Sequence, residues 1–112
     1  MSEATPERRI SSRDILIQTE DIEAACEFYQ RWLGLSLFMR EETIIGLETG
    51  AFRLFLESGP PYGPVFEIFV DDLDGAKAEL TAAGCSIEIE DASVPKCYVR
   101  DPYGLIYNIA QR

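Results

Sequence analysis

Hydrophobic and polar positions alternate in two rhythms along the chain, and the rhythms repeat. Residues 13–19, Arg-Asp-Ile-Leu-Ile-Gln-Thr, carry β-branched residues in a short apolar run and predict a strand. Glu20 and Asp21 then precede Ile22, Ala25, Cys26, Tyr29 and Leu33. That series, spaced three and four apart with acids at its start, predicts an amphipathic helix, and Gly34 stops it. Three segments of strand composition follow, at 35–40, 43–48 and 51–57, separated by short turns. Residues 1–12 are polar, contain Pro6, and read as a flexible N-terminal arm.

Residues 58–64, Ser-Gly-Pro-Pro-Tyr-Gly-Pro, concentrate turn formers and read as a linker. Beyond it the order returns. Residues 65–70 predict a strand, and Asp71-Asp72 opens a helix with Leu73, Ala76, Leu80 and Ala83 on one face, ended by Gly84. Strands follow at 86–90, 96–100 and 105–110, the last two joined by Asp101-Pro102-Tyr103-Gly104. Thr19-Glu20-Asp21-Ile22 superposes on Val70-Asp71-Asp72-Leu73, Gly34 on Gly84, and Gly50 on Gly104. The expected fold is therefore α+β, two βαβββ repeats (13–57 and 65–112) forming a curved, partly closed mixed sheet with a central cleft and the helices outside.

Composition narrows the chemistry. The 112 residues suit one domain, and 20 acidic residues against 10 basic ones give a net charge of -10. So few scattered cations do not serve a phosphate backbone, which argues against a nucleic-acid partner, and the acidity favours a cationic guest. Histidine is absent, so no Ser-His-Asp or Cys-His nucleophilic site exists. Cys26, Cys85 and Cys97 are odd in number and far apart, which predicts reduced thiols. With no leader pattern and no apolar run near the ~18 residues of a membrane span, a cytoplasmic protein is expected.

The helix end Phe28-Tyr29-x-x-Trp32-Leu33-Gly34-Leu35, the later Phe69-Val70-Asp71-Asp72-Leu73 and the closing Val99-Arg100-Asp101-Pro102-Tyr103-Gly104, all inside a duplicated βαβββ, resemble the vicinal oxygen chelate superfamily. That superfamily holds glyoxalase I, extradiol dioxygenases, fosfomycin-resistance enzymes and bleomycin-resistance proteins, and the resemblance covers residues 13–112. It implies a site in the sheet cleft, often completed by a second subunit, and hence a homodimer. It also implies four metal ligands, on the first, fourth, fifth and eighth strands. The matching positions here are Asp14, Leu54, Val65 and Asn108. Two are aliphatic, so the resemblance points to a metal-free, bleomycin-resistance-like member without a cofactor.

Strand alternation from those positions puts Asp14, Leu16 and Gln18, Phe52, Leu54 and Leu56, Val65, Glu67 and Phe69, and Ile106, Asn108 and Ala110 on the cleft side. Ile15, Ile17, Phe55, Phe66, Ile68, Val70, Leu105 and Ile109 pack under the helices. The expected ligand-binding residues are Asp14, Gln18, Phe52, Leu54, Val65, Glu67, Phe69 and Asn108, an apolar lining with a few polar groups as small-molecule pockets have. Each has a plainer reading: Asp14 and Glu67 as rim charges, Gln18 and Asn108 as partners of backbone groups, Phe52 and Phe69 as core. Trp32 is expected to pack at the helix end, and Tyr98 with Arg100 to form a surface pair. Arg53 alternates toward the helix side, where it either snorkels to the rim or meets an acidic partner.

The leading function is metal-independent binding, by sequestration, of a small cationic or aromatic organic molecule. One alternative is a glyoxalase-type lyase or isomerase working through a substituted metal or through Asp14 and Glu67 as acid and base. The other is an interaction subunit with no ligand.

Overall fold

The computed structural model describes residues 9–112. Its elements are β1 (Arg9–Thr19), α1 (Ile22–Leu33), β2 (Ser36–Arg40), β3 (Ile44–Glu48), β4 (Arg53–Ser58), β5 (Tyr62–Val70), α2 (Leu73–Ala82), β6 (Ser86–Asp91), β7 (Lys96–Arg100) and β8 (Ile106–Gln111). Two helices and a mixed sheet in the order β2-β3-β4-β1-β5-β8-β7-β6 make the expected α+β arrangement of two βαβββ repeats. The largest boundary differences from the sequence reading are at the starts of β1 and β5. Arg9–Ser12 belong to β1, and only residues 1–8 of the expected arm lie outside the described residues. Tyr62–Pro64 belong to β5, so the linker shrinks to residues 59–61.

The chain divides into two compact units, Arg13–Phe66 and Glu67–Arg112, the latter joined by the described residues before Arg13. In the first, β1 runs parallel to β4, while β2, β3 and β4 are antiparallel neighbours. Asp21 caps α1 by accepting from the Ala24 N–H at 3.0 Å. Gly34 ends it with φ +70°, a left-handed conformation natural to glycine, and its N–H returns to Gln30 O. The helix buries Ile22 and Cys26 against Ile45, Leu47, Leu54 and Leu56, with Ile15, Ile17, Ala25 and Tyr29 packed around them. Leu33, expected on this face, is 62% exposed.

The second unit repeats the plan. Asp72 caps α2 by accepting from Gly75 N–H at 3.2 Å, and β6, β7 and β8 are antiparallel. Its core joins Ala76, Leu73 and Leu80 of the helix to Ile68, Val70, Cys97, Val99, Tyr107 and Ile109. The copying extends to an irregularity: β2 and β6 each break register at the same place, between Leu37 and Met39 and between Ile87 and Ile89.

The duplication is not carried at one constant spacing. Asp21 and Asp72 stand 51 apart, but Ser36 pairs with Glu48 as Ser86 pairs with Arg100, so β2 and β6 lie 50 apart and β3 and β7 lie 52 apart. Glu48 then faces Arg53 as Arg100 faces Ile106, which sets β4 and β8 53 apart. Superposing Gly50 on Gly104 gave 54. The turn before β8 is one residue longer than the turn before β4, and because side chains alternate with period two, that single residue turns every β4 side chain to the opposite face.

Candidate functional site

The site begins with this correction. In β4, Leu54 and Leu56 point to α1, and Leu54 is only 8% exposed inside the core. Arg53, Phe55 and Glu57 take the other face, opposite Asp14, Leu16 and Gln18 of β1. Phe55, expected under the helix, is therefore the position matching Asn108, and Leu54 is not on the candidate binding face.

On that face Asp14 and Arg53, directly opposed across the parallel β1–β4 pair, form a two-point ion pair. Arg53 Nε donates to Asp14 Oδ1 and Nη2 to Oδ2, both at 2.7 Å. The planar guanidinium matches a carboxylate in this fork geometry, which fixes its orientation as well as its charge. Two aromatic rings stand beside it, with the guanidinium carbon 5.5 Å from the Phe38 centroid and 5.4 Å from that of Phe55. Phe38 and Phe55 stand edge to face at 5.8 Å.

The rings can gather there because β3 carries Gly46 opposite Phe55. A Cβ at Gly46 would lie 2.6 Å from the Phe38 ring, so glycine lets the far end of that ring approach β3 closely. Phe38 remains 44% exposed. At the end of the same strands Arg13 pairs with Glu48 and donates to Gly50 O at 3.2 Å, holding Glu48 below the usual carboxylate range. The sequence carries signals for this cluster, an arginine in a strand and a glycine in the middle of another, but nothing in it says that they face each other.

The remaining expected site residues are placed as follows. Gln18 packs against Gly59, whose missing side chain makes the room. Phe52 precedes β4 in a turn closed by Thr49: the Thr49 hydroxyl donates to Phe52 O at 2.6 Å and accepts from Phe52 N–H at 2.9 Å. Val65 is buried in β5. In the second unit Glu67 and Phe69 lie on the β5 face away from α2, Glu67 half-buried and Phe69 under the Arg112 guanidinium at 5.2 Å. Ile10, Phe69, Asp71 and Arg112 line a small hollow of ≈ 230 Å³. Asn108 Oδ1 accepts from Cys97 N–H at 2.8 Å, so this side chain completes the backbone pairing of β7 and β8. Tyr98 is buried, with Lys96 5.0 Å from its ring centre, and Arg100 pairs with Glu88, so Tyr98 is not the surface residue expected. Trp32 is 66% exposed and does not pack at the helix end.

The family's metal does not fit the residues at these positions. Both Asp14 oxygens accept from Arg53, Phe55 and Val65 offer no donor atom, and Asn108 Oδ1 is engaged by a backbone N–H. Among the described residues no three His, Cys, Asp or Glu side chains converge. A fixed guanidinium stands beside Asp14, and a divalent cation placed there would meet its charge at close range.

Each unit of the duplicated βαβββ chain packs its helix against its own strands, and the first carries the charged, aromatic cluster on the strand face turned away from α1. Residues 13–106 match the model of the Glyoxalase/Bleomycin resistance protein/Dioxygenase superfamily, and the chain belongs to that superfamily. No curated protein matches the sequence. Among solved structures it is similar to the hypothetical protein BH1468 from Bacillus halodurans C-125, at 16% identity and a TM-score of 0.63, over 93% of this chain and 94% of that one. It is also similar to homoprotocatechuate 2,3-dioxygenase from Brevibacterium fuscum, solved with 3,4-dihydroxyphenylacetate, at 24% identity and a TM-score of 0.65. That match covers 99% of this chain and 39% of the dioxygenase. These identities carry the fold alone.

Proposed function

We propose that this protein binds a small planar organic molecule, aromatic and preferably cationic, on the face of β2-β3-β4-β1 opposite α1, and that it does so without a metal. The observation that carries the reading is the Phe38–Phe55–Arg53–Asp14 cluster, in which an exposed aromatic ring is held in a fixed pose beside a neutralised charge pair. An apolar surface with rigid aromatic walls and few oriented polar groups suits a flat guest. Asp14 balances Arg53, so the net charge of -10 makes the surroundings attractive to a cation. With both oxygens bound to Arg53, Asp14 anchors that guanidinium and is poorly placed to carry protons, which favours binding, by sequestration as in bleomycin-resistance proteins, over acid–base catalysis. The three unbridged cysteines agree with a reducing compartment such as the cytoplasm.

The test is a thermal-shift and calorimetric screen against cationic aromatic antibiotics and dyes, with neutral and anionic aromatics beside them. A guest at a hundred times its Kd should stabilise the fold by about 2.7 kcal/mol. Phe38→Ala should weaken that guest at least about tenfold while elemental analysis of the metal-soaked protein finds no stoichiometric metal. No stabilising compound across the panel, equal binding by Phe38→Ala, or one retained metal per chain would overturn the reading.

A further inference from the structure

Helix α1 presents a second surface that the binding face does not use. On its outer side Ala24, Phe28 and Trp32 follow one another at four-residue spacing and form an apolar ridge. Phe28 is 54% exposed and Trp32 66%, although both are large aromatics that elsewhere supply core packing. Both rings are already braced: Phe28 stands edge-on to Tyr29 at 5.6 Å, and Arg31 lies 5.3 Å from the centre of the Trp32 ring. Together with Glu27 and Arg31 they line a shallow hollow of ≈ 310 Å³. A braced, exposed aromatic pair loses little side-chain freedom when it is covered, as interface anchors do.

Charge decides what covers it. Glu23 and Glu27 run beside the apolar ridge at four-residue spacing, and Glu20 heads it. Glu23 is paired with Arg40, while Glu20 and Glu27 supply an acidic rim to a protein whose net charge is -10. A second copy would bring its own net charge of -10 and the same acidic rim against this face, with Arg31 the one basic side chain lining the hollow, which disfavours that contact. We propose that the outer face of α1 docks a basic amphipathic helix of another protein, its apolar side chains against Phe28 and Trp32 and its lysines or arginines toward Glu20 and Glu27.

Trp32 is the only tryptophan of the sequence, so its emission reports this face directly. The protein is titrated with a synthetic helical peptide carrying leucines four apart and lysines beside them, and with the same peptide in which glutamate replaces lysine. The lysine peptide should move Trp32 emission to shorter wavelength in a saturable way, and the glutamate peptide should not. Phe28→Ala keeps the net charge and removes one anchor, so it should bind at least about tenfold more weakly, and Glu27→Gln should lose affinity and salt dependence together. Three outcomes overturn the proposal. They are no shift with the lysine peptide, undiminished binding by Phe28→Ala, which would mean unspecific attraction to an acidic protein, and a shift driven by protein concentration alone, which would mean that a second copy covers the face. Circular dichroism of each variant confirms that its fold is intact, and a Phe28→Ala protein that fails to fold leaves Glu27→Gln to decide.

Discussion

Leu54 and Phe55 are neighbours in sequence and lie on opposite faces of β4, so truncating each in turn reads out the register of that strand. Leu54→Ala removes three carbons from a side chain packed against Ile22 and Cys26 of α1 and Ile45, Leu47 and Leu56 of the sheet. At about 0.8 kcal/mol per buried methylene the transfer loss is about 2.4 kcal/mol, and an unfilled cavity raises the cost to about 3 kcal/mol. For a chain of this size that corresponds to a fall in Tm of roughly 13 °C. Phe55→Ala removes a half-buried ring whose edge-to-face contact with Phe38 is worth about 1 kcal/mol, and costs about 1–2 kcal/mol in all. Urea denaturation followed by circular dichroism measures both. The guest, once found, adds a second axis: its affinity should be unchanged in a folded Leu54→Ala protein and reduced in Phe55→Ala. A Leu54→Ala cost below about 1 kcal/mol with a larger cost for Phe55→Ala would show that β4 is turned the other way, and the proposed binding face would fall with it.

Two further expectations come from groups with defined partners. In a double-mutant cycle of Asp14→Asn and Arg53→Met the coupling should be about 1–2 kcal/mol, because the pair is two-point and only partly solvated; additivity within about 0.3 kcal/mol would reduce it to an ordinary surface pair. Burial, and after it the nearby Glu90 carboxylate, push the Cys97 thiol up, with Lys77 opposing them. A raised thiol pKa contributes stability that is complete below the unfolded thiol's pKa and lost as pH rises toward the folded one. Iodoacetamide should therefore label native Cys97 far more slowly than unfolded chain at pH 8, and Cys97→Ala should flatten the alkaline fall in stability. Labelling at the unfolded rate in a folded protein would refute the burial argument.

Much of the fold was legible because its signals are local. The acidic caps at Asp21 and Asp72, the glycine at 34 and the three-and-four spacing from Ile22 to Tyr29 each act within a turn or two of helix, and α1 and α2 lie where those residues put them. The duplication was also visible, since each repeat carries its own copy of those signals. What the sequence could not settle was the face of β4. That depends on one extra residue in the turn before β8, and a periodicity of two amplifies one residue into a complete reversal. Leu54 therefore went to the core and Arg53 with Phe55 to the open face. Leu33 and Trp32 show the opposite limit, since both fit an apolar helix end in sequence and stay exposed in the fold.

By itself, then, the sequence determined the element order, the repeat, the superfamily pattern and the absence of imidazole chemistry, all of which are carried by residue identity and short spacing. The tertiary structure decided that Arg53 meets Asp14, 39 positions away, and that two phenylalanines from different strands close around it. Parallel pairing of β1 with β4 brings those residues side by side, and strand register is fixed by the packing of the whole sheet against its helix, which no short stretch of sequence encodes.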